Sequence, residues 1–382
     1  MSLSSFKIAH KLITGAGAIE QLAAELTRLD IDNPLIVTDA ALVKSGTVEL
    51  ALAQLGERTY EIFDRVLPDP EIAIVEDCMR VYRDGGHDGL IGLGGGSAID
   101  IAKSVAAYAG YHGALEDLFG IDQVPRKGPP LIAIPTTAGT GSEVTNVAIL
   151  SDKVAQLKKG IVSDYLLPDV ALVSPQMTLT CPRSVTAASG VDALVHAIES
   201  YLSLNASAIT DSLAIGAIKL IVRALPKAYA NPSNLQARED MATASLMAGM
   251  AFGNAGVGAV HALAYPLGAR YNIAHGVSNA LLLPHVMHWN KMACFERMQD
   301  IAEAMGVKTA HLSVTQAADK AVEAMTELCA AVEIPSDLRS FGVPEEAIAT
   351  MALEAAGIER LMRNNPRKLS AVDIEKIYRA AY

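Results

Sequence analysis

The stretch Leu90-Ile-Gly-Leu-Gly-Gly-Gly-Ser-Ala-Ile-Asp-Ile-Ala-Lys103 runs from an apolar β-type segment directly into a helical pattern. Its glycines let the backbone approach a bound group closely, and the following helix offers free N–H groups and the positive end of its dipole. Ser97 stands where G-x-G-x-x-G has its third glycine, and Lys103 does not have P-loop spacing. This run alone therefore leaves two readings open, a phosphate site and a tight turn capped by Ser97.

A second loop, Ile134-Pro-Thr-Thr-Ala-Gly-Thr-Gly-Ser-Glu-Val-Thr145, also follows a β-type run. Its hydroxyls and glycines suit a pyrophosphate or a ribose as well as an ordinary loop. Open α/β sheets bind ligands at the carboxyl ends of their strands, so two such loops support each other. Together they favour a dinucleotide site.

Asp39 directly follows the β-type run Leu35–Thr38. An acid at this place in a dinucleotide fold can accept a hydrogen bond from a ribose hydroxyl and would repel the 2′-phosphate of NADP. It is also a good helix N-cap, and the two roles are compatible.

The two halves of the chain have different sequence patterns. Five β-type runs alternate with helical patterns at Glu71–Arg83 and Ala98–Tyr108; the runs are Leu35–Thr38, Thr59–Phe63, Leu90–Ile91, Leu131–Ile134 and Val170–Val173. Such alternation predicts a parallel sheet with helices on both faces. After Pro182 alanine-rich helical patterns continue to Tyr382. We predict an α/β domain over residues 1–182 and an all-α domain over residues 183–382.

Composition excludes several classes of protein. The chain has 382 residues, of which 51% are hydrophobic, and a net charge of −11. A disordered chain is excluded, and neither nucleic acid nor an anionic membrane is an expected partner. Four scattered cysteines and the lack of a signal-peptide pattern in Met1–His10 favour a cytoplasmic location. The uncharged, mostly apolar stretch Met241–Val260 is interpreted as a buried core helix that delivers His261, not as a membrane span.

Asp192 and His196 are spaced i, i+4, which places both side chains on one face of a helix. A carboxylate and an imidazole on one face are half of a divalent metal site, and His261 and His275 follow further along the chain. Taken alone, each histidine is more often structural than a metal ligand. His285 and His288 lie between Pro284 and Trp289, which indicates a surface turn or a packing site.

These motifs together resemble the iron-containing (group III) alcohol dehydrogenases, which share a fold with glycerol dehydrogenase and dehydroquinate synthase. The resemblance rests on the two loops, on Gly190-Val-Asp-Ala-Leu-Val-His-Ala-Ile-Glu199 and on His261–Asn279, and it covers nearly the whole chain. It implies a Rossmann-like N-terminal domain, a helical C-terminal domain, a homodimer, and hydride transfer between NAD and a small alcohol or aldehyde. A divalent metal, usually Fe²⁺ with Zn²⁺ as the alternative, would polarise the substrate oxygen.

The resemblance also implies a role for individual residues. Asp192, His196, His261 and His275 would hold the metal. The dinucleotide would be contacted by Asp39, Gly95, Gly96, Ser97, Asp100, Thr136, Thr137, Thr140 and Lys158. Phe252 would line the substrate pocket, for which packing is an equally good interpretation. Tyr265 replaces a histidine that relays protons in some relatives, and it is the catalytic candidate.

Three alternatives stay open. A glycerol or diol dehydrogenase would usually bind zinc through fewer side chains. A dehydroquinate synthase-like lyase would need a basic cluster near the metal, which Arg270 alone does not provide. A non-catalytic metal-binding structural protein would explain the histidines but not the two glycine- and threonine-rich loops.

Overall fold

The structure, a computed structural model, describes residues 5–153 and 157–382. The chain divides into two compact units, Lys7–Cys181 and Pro182–Tyr382, and Ser5 and Phe6 group with the second. The strands lie in the first unit, which also contains helices, and the second unit is helical.

The first unit is built on a six-stranded sheet. Its strands are β1 (Leu12–Thr14), β2 (Pro34–Val37), β3 (Glu61–Phe63), β4 (Gly89–Gly94), β6 (Leu131–Pro135) and β9 (Val170–Val173). Their order is β1-β9-β6-β4-β2-β3, and each neighbouring pair is parallel. A smaller sheet has the order β5-β8-β7 and consists of β5 (Gly120–Ile121), β7 (Val147–Asp152) and β8 (Leu157–Val162).

Helices cover both faces of the large sheet. The helices of this unit are α1 (Leu22–Arg28), α2 (Ala40–Lys44), α3 (Thr47–Leu52), α4 (Ile72–Asp84) and α5 (Gly96–Ala109). Side chains of β2 alternate, so that Leu35 and Val37 pack with α4 and α5, while Ile36 packs with α1 and α3. The central strands are fully buried, as expected for a parallel sheet sandwiched between helices.

The predicted α/β architecture is confirmed, and the five predicted strands and two predicted helices are present with slightly shifted ends. The sequence patterns did not reveal β1 or the smaller sheet. β1 is three residues long and only partly buried, and β5 has two residues, so neither produces a clear alternation.

Residues 182–382, all of which the structure describes, form helices and contain no strand. The helices are α6 (Arg183–Leu202), α7 (Ala208–Ala230), α8 (Leu235–Ala255), α9 (Ala259–Tyr271), α10 (His275–Asn290), α11 (Phe295–Ala304), α12 (Val314–Ala331), α13 (Ile348–Ala356), α14 (Glu359–Met362) and α15 (Ala371–Ala380). The predicted all-α second half is therefore confirmed.

The stretch Met241–Val260 is mostly buried, as interpreted, but it is not one helix. The chain turns between α8 and α9, whose axes are bent by 102°. Gly256 has φ +79, and a Cβ there would lie 2.5 Å from Asn364 Nδ2, so the turn requires glycine. Among the described residues, no single helix is long and apolar enough to cross a membrane, although the bent pair α8 and α9 passes that test when taken together.

Candidate metal centre and nucleotide loops

Three donor side chains from three helices meet in the helical unit. Asp192 comes from α6, His261 from the first turn of α9, and His275 is the first residue of α10. Their ligand atoms all lie within 4.8 Å of one another. Asp192 Oδ1 is 3.8 Å from His261 Nε2 and 3.9 Å from His275 Nε2. Two metal–ligand bonds of about 2.1 Å can span both distances.

The state of His261 shows that this cluster fits a cation. The residue is only 3% exposed, and its Nε2 has no hydrogen-bond partner in the described part of the chain. A buried polar atom without a partner costs free energy, so an ion between Nε2 and Asp192 would remove a penalty. Carboxylate and imidazole donors are also the set that divalent transition metals use.

Histidine rings and one phenylalanine stack beside the donors. The His196 ring lies 4.7 Å from the His261 ring and 4.2 Å from the Phe252 ring, measured between centroids. His196 thus lies adjacent to the three clustered donors. The Tyr265 ring is 6.3 Å from the His275 ring, and the Tyr265 hydroxyl accepts a hydrogen bond from Arg360 at 3.4 Å.

The electrostatics of the cluster favour an ionised Asp192. Burial by itself raises the pKa of this carboxyl, but the neighbouring imidazoles, His196 foremost, and the Asn279 amide bring it below its ordinary value. Asn279 Nδ2 donates to Asp192 Oδ1 at 2.7 Å. The carboxylate is therefore both charged and held in place, as a metal ligand must be.

Two residues at this site were missed by the sequence analysis. Asn279 lies one helical turn after His275 on α10, and Glu199 accepts a hydrogen bond from His261 Nδ1 at 2.6 Å. A signal for Glu199 existed, because it is seven residues after Asp192 and so shares its helix face. By contrast, the surface turn or packing site expected at His285 and His288 is wrong in part, because both lie within helix α10, which continues through Pro284.

In the first unit, the two predicted loops meet at the carboxyl ends of neighbouring strands β4 and β6. Gly95 is the N-cap of α5, and Ser97 lies in its first turn. A Cβ on Gly96 would lie 2.8 Å from Thr140 Cγ2, and one on Gly95 would lie 3.5 Å from Thr137 Cγ2. A further link ties the loops together, since the Thr136 N–H donates to the Gly94 carbonyl at 2.9 Å.

A buried polar group anchors the second loop from behind. Lys103 is fully buried on α5, and its Nζ lies 2.8 Å from the Thr145 carbonyl and 3.0 Å from the Val147 carbonyl. Asp100 accepts hydrogen bonds from the Ser142 hydroxyl and from the Ile149 N–H. Both oxygens of Asp100 thus accept hydrogen bonds from the protein itself. The motif did not reveal this role for a residue predicted to contact the cofactor.

Burial shifts the ionisation of this anchor. It lowers the pKa of Lys103 to about 8, although the charges of Asp100 and Glu143 oppose the shift. It raises the pKa of Glu143 to about 7, against the charge of Lys103. A sequence signal for this arrangement existed, because Lys103 stands in the mostly apolar helix α5.

The remaining two predicted cofactor residues have defined positions. Asp39 is the N-cap of α2, and its Oδ1 accepts from the Leu42 N–H at 2.9 Å, as the capping interpretation requires. Lys158 is on β8, where its side chain is 8% exposed and its ammonium pairs with Asp69.

Comparison with known proteins agrees with this architecture. The profile of the family described as iron-containing alcohol dehydrogenase matches residues 9–175, and that of the Fe-containing alcohol dehydrogenase family, C-terminal, matches residues 186–382. Long-chain-alcohol dehydrogenase 1 of Geobacillus thermodenitrificans is 46% identical, over 96% of this chain and 94% of the relative. The 1,3-propanediol dehydrogenase of Klebsiella pneumoniae is 42% identical, over 96% of each chain.

Solved structures show the same likeness. A 1,3-propanediol oxidoreductase superimposes with a TM-score of 0.97 at 41% identity, and each chain is fully covered. An alcohol dehydrogenase from Oenococcus oeni gives a TM-score of 0.97 at 38% identity, again with full coverage of both chains. The chain therefore belongs to the iron-containing alcohol dehydrogenase family.

Proposed function

We propose that this chain is an NAD-dependent, iron-binding alcohol dehydrogenase and aldehyde reductase for small primary or secondary alcohols. The observation that carries the proposal is the buried His261 Nε2, which faces Asp192, has His275 beside it and has no hydrogen-bond partner among the described residues. In this proposal Asp192, His196, His261 and His275 hold one divalent ion. Fe²⁺ is the proposed ion, and Zn²⁺ suits the same donors.

The bound groups would bring chemistry that the side chains lack. A divalent ion would polarise the substrate oxygen, and NAD would accept or donate the hydride. The chain's own part is to hold these groups. Asp192, kept ionised by its surroundings, supplies negative charge to the ion site.

We assign the side chains around the ion to the substrate. The Phe252 ring, stacked on His196, would form an apolar wall of the substrate pocket. The Tyr265 hydroxyl would exchange a proton with the substrate hydroxyl during turnover. Its place on α9, one turn after His261, supports this role.

The two loops of the first unit would bind the dinucleotide. Gly95, Gly96 and Ser97 begin α5, where backbone N–H groups and the helix dipole favour a pyrophosphate. The hydroxyls of Thr136, Thr137 and Thr140 would complete that site. Asp39 would accept from the adenosine ribose and exclude NADP, Lys158 would reach the cofactor, and Asp100 would act by fixing the loop through Ser142.

The experiment is a coupled test of metal and substrate. Purified protein is stripped with a chelator, reloaded with Fe²⁺ or Zn²⁺, and assayed by NADH absorbance. The substrates tested are 1,3-propanediol, methanol and lactaldehyde, which appear in the names of relatives. We expect turnover with NADH, loss on stripping and recovery on reloading. Full activity after stripping would refute the metal's role.

We also propose a cytoplasmic homodimer. The four cysteines, all within the described residues, are in the reduced state and buried, which suits a reducing compartment. Light scattering of the purified protein would give twice the chain mass for a dimer, and the mass of one chain would refute this assignment.

A further inference from the structure

Two hydrogen bonds join the Glu199 carboxylate to the first turn of α9. It is 3% exposed, and its Oε2 lies 2.6 Å from His261 Nδ1. Its Oε1 accepts a hydrogen bond from the Val260 N–H, also at 2.6 Å. One carboxylate thus binds both the side chain of His261 and the backbone beside it.

These contacts define which nitrogen of His261 carries the proton. A neutral imidazole has one N–H donor and one acceptor nitrogen, and an ionised carboxylate can only accept. An ionised Glu199 with its Oε2 at Nδ1 requires the proton on Nδ1 and leaves the lone pair on Nε2. That is the nitrogen that faces Asp192 and lacks a hydrogen-bond partner in the described chain.

We propose that Glu199 is a positioning residue that fixes His261 as its Nδ1–H tautomer and thereby strengthens binding of the divalent ion. This inference rests on the proposed function, because it takes the cluster of Asp192, His261 and His275 to be the ion site. A carboxylate behind a ligating histidine fixes its tautomer and ring orientation and makes it more basic.

The local contacts favour a carboxylate over an amide at this position. Gly258, just before α9, brings the backbone so close that a Cβ there would lie 3.3 Å from Glu199 Oε1. A glutamine of equal size has one acceptor oxygen for two donors. Its NH₂ group would face either the Val260 N–H, donor against donor, or His261 Nδ1. In the second case it would donate and move the imidazole proton to Nε2.

The test compares Zn²⁺ affinity in metal-stripped wild type, Glu199→Gln and Glu303→Gln, by competition with a chromogenic chelator. Glu303 lies in the same helical unit, and its carboxylate binds Thr309 and Gln299, so it controls for loss of one charge. We expect Glu199→Gln to weaken binding about 10- to 100-fold and Glu303→Gln to leave it unchanged. A folded Glu199→Gln protein with wild-type affinity would overturn the proposal.

A second measurement needs no Glu199 variant and covers failure to fold. In metal-free wild type labelled with ¹⁵N-histidine, long-range ¹H–¹⁵N spectra give the tautomer of each ring, and His261→Asn identifies the His261 signals. The proposal predicts the Nδ1–H form, and an Nε2–H form would overturn it. A wild type that binds no Zn²⁺ refutes the proposed ion site, and the tautomer then decides the assignment of Glu199 by itself.

Discussion

Replacing Lys103 by methionine removes a buried ammonium group but keeps an unbranched side chain of similar length. In the wild type this group donates to the carbonyls of Thr145 and Val147 and to the Ser142 hydroxyl at 2.8–3.1 Å. Glu143, also buried, would lose its neighbouring positive charge. At pH 7 the ammonium form predominates, since the pKa of Lys103 is about 8.

The expected loss is large because the group is buried. Removing one partner of a buried ionic arrangement typically costs about 3–5 kcal/mol. In a unit of this size, 1 kcal/mol corresponds to about 2–4 °C in melting temperature, so the melting temperature should fall by about 6–20 °C. The freed loop should also bind NADH more weakly, because Ser142 and Thr145 would no longer be fixed to α5.

Differential scanning calorimetry at pH 7 and NADH titration by fluorescence provide the assay. Lys44→Met is the control, because Lys44 is an exposed lysine at the end of α2, where such a change costs about 0.5 kcal/mol or less. A Lys103→Met protein that melts within about 2 °C of the control and binds NADH equally would show that Lys103 does not anchor the loop.

Further changes test other parts of the site. Asp39→Asn keeps the capping oxygen for Leu42 but removes the charge, so the kcat/KM preference for NADH over NADPH should narrow at least about tenfold, and an unchanged ratio would contradict the assignment. Glu143→Gln tests the raised pKa of about 7. The folded wild type holds a proton there that the unfolded chain, with an ordinary pKa of 4.5, releases. The stability that this proton contributes to the wild type is therefore lost as pH rises through 7. The melting temperature of Glu143→Gln, relative to that of the wild type, should rise between pH 5 and pH 8. Melting temperatures that change in parallel with pH would argue against a raised pKa of Glu143. His196→Ala should weaken Zn²⁺ binding at least about tenfold. If the variant binds Zn²⁺ with wild-type affinity, His196 is not a ligand and the ion is held by three protein side chains.

Local patterns account for the parts of the fold that sequence predicted. The central strands are uninterrupted apolar runs, and α4 and α5 have clear helical periodicity, so neither needed knowledge of distant neighbours. β8 is different, because Lys158, Lys159 and Gly160 interrupt any apolar alternation. This strand forms because it pairs with β7, which lies next to it in the smaller sheet.

Tertiary contacts account for what sequence could not predict. Gly256 and Gly258 were visible as glycines, but the turn between α8 and α9 depends on Asn364, more than a hundred residues later. The contact between Glu199 and His261 joins residues 62 apart, so helix periodicity places Glu199 on the right face without revealing its partner. Likewise, the burial of Lys103 depends on the loop that folds over it.

Anomalous diffraction would show whether one divalent ion binds between Asp192, His261 and His275. Crystals of an active, metal-loaded preparation would be measured at the absorption edge of the loaded metal. We expect one peak per chain, about 2.0–2.3 Å from a carboxylate oxygen of Asp192 and from the Nε2 atoms of His261 and His275. An active preparation with no peak there, or with its peak elsewhere, would contradict it.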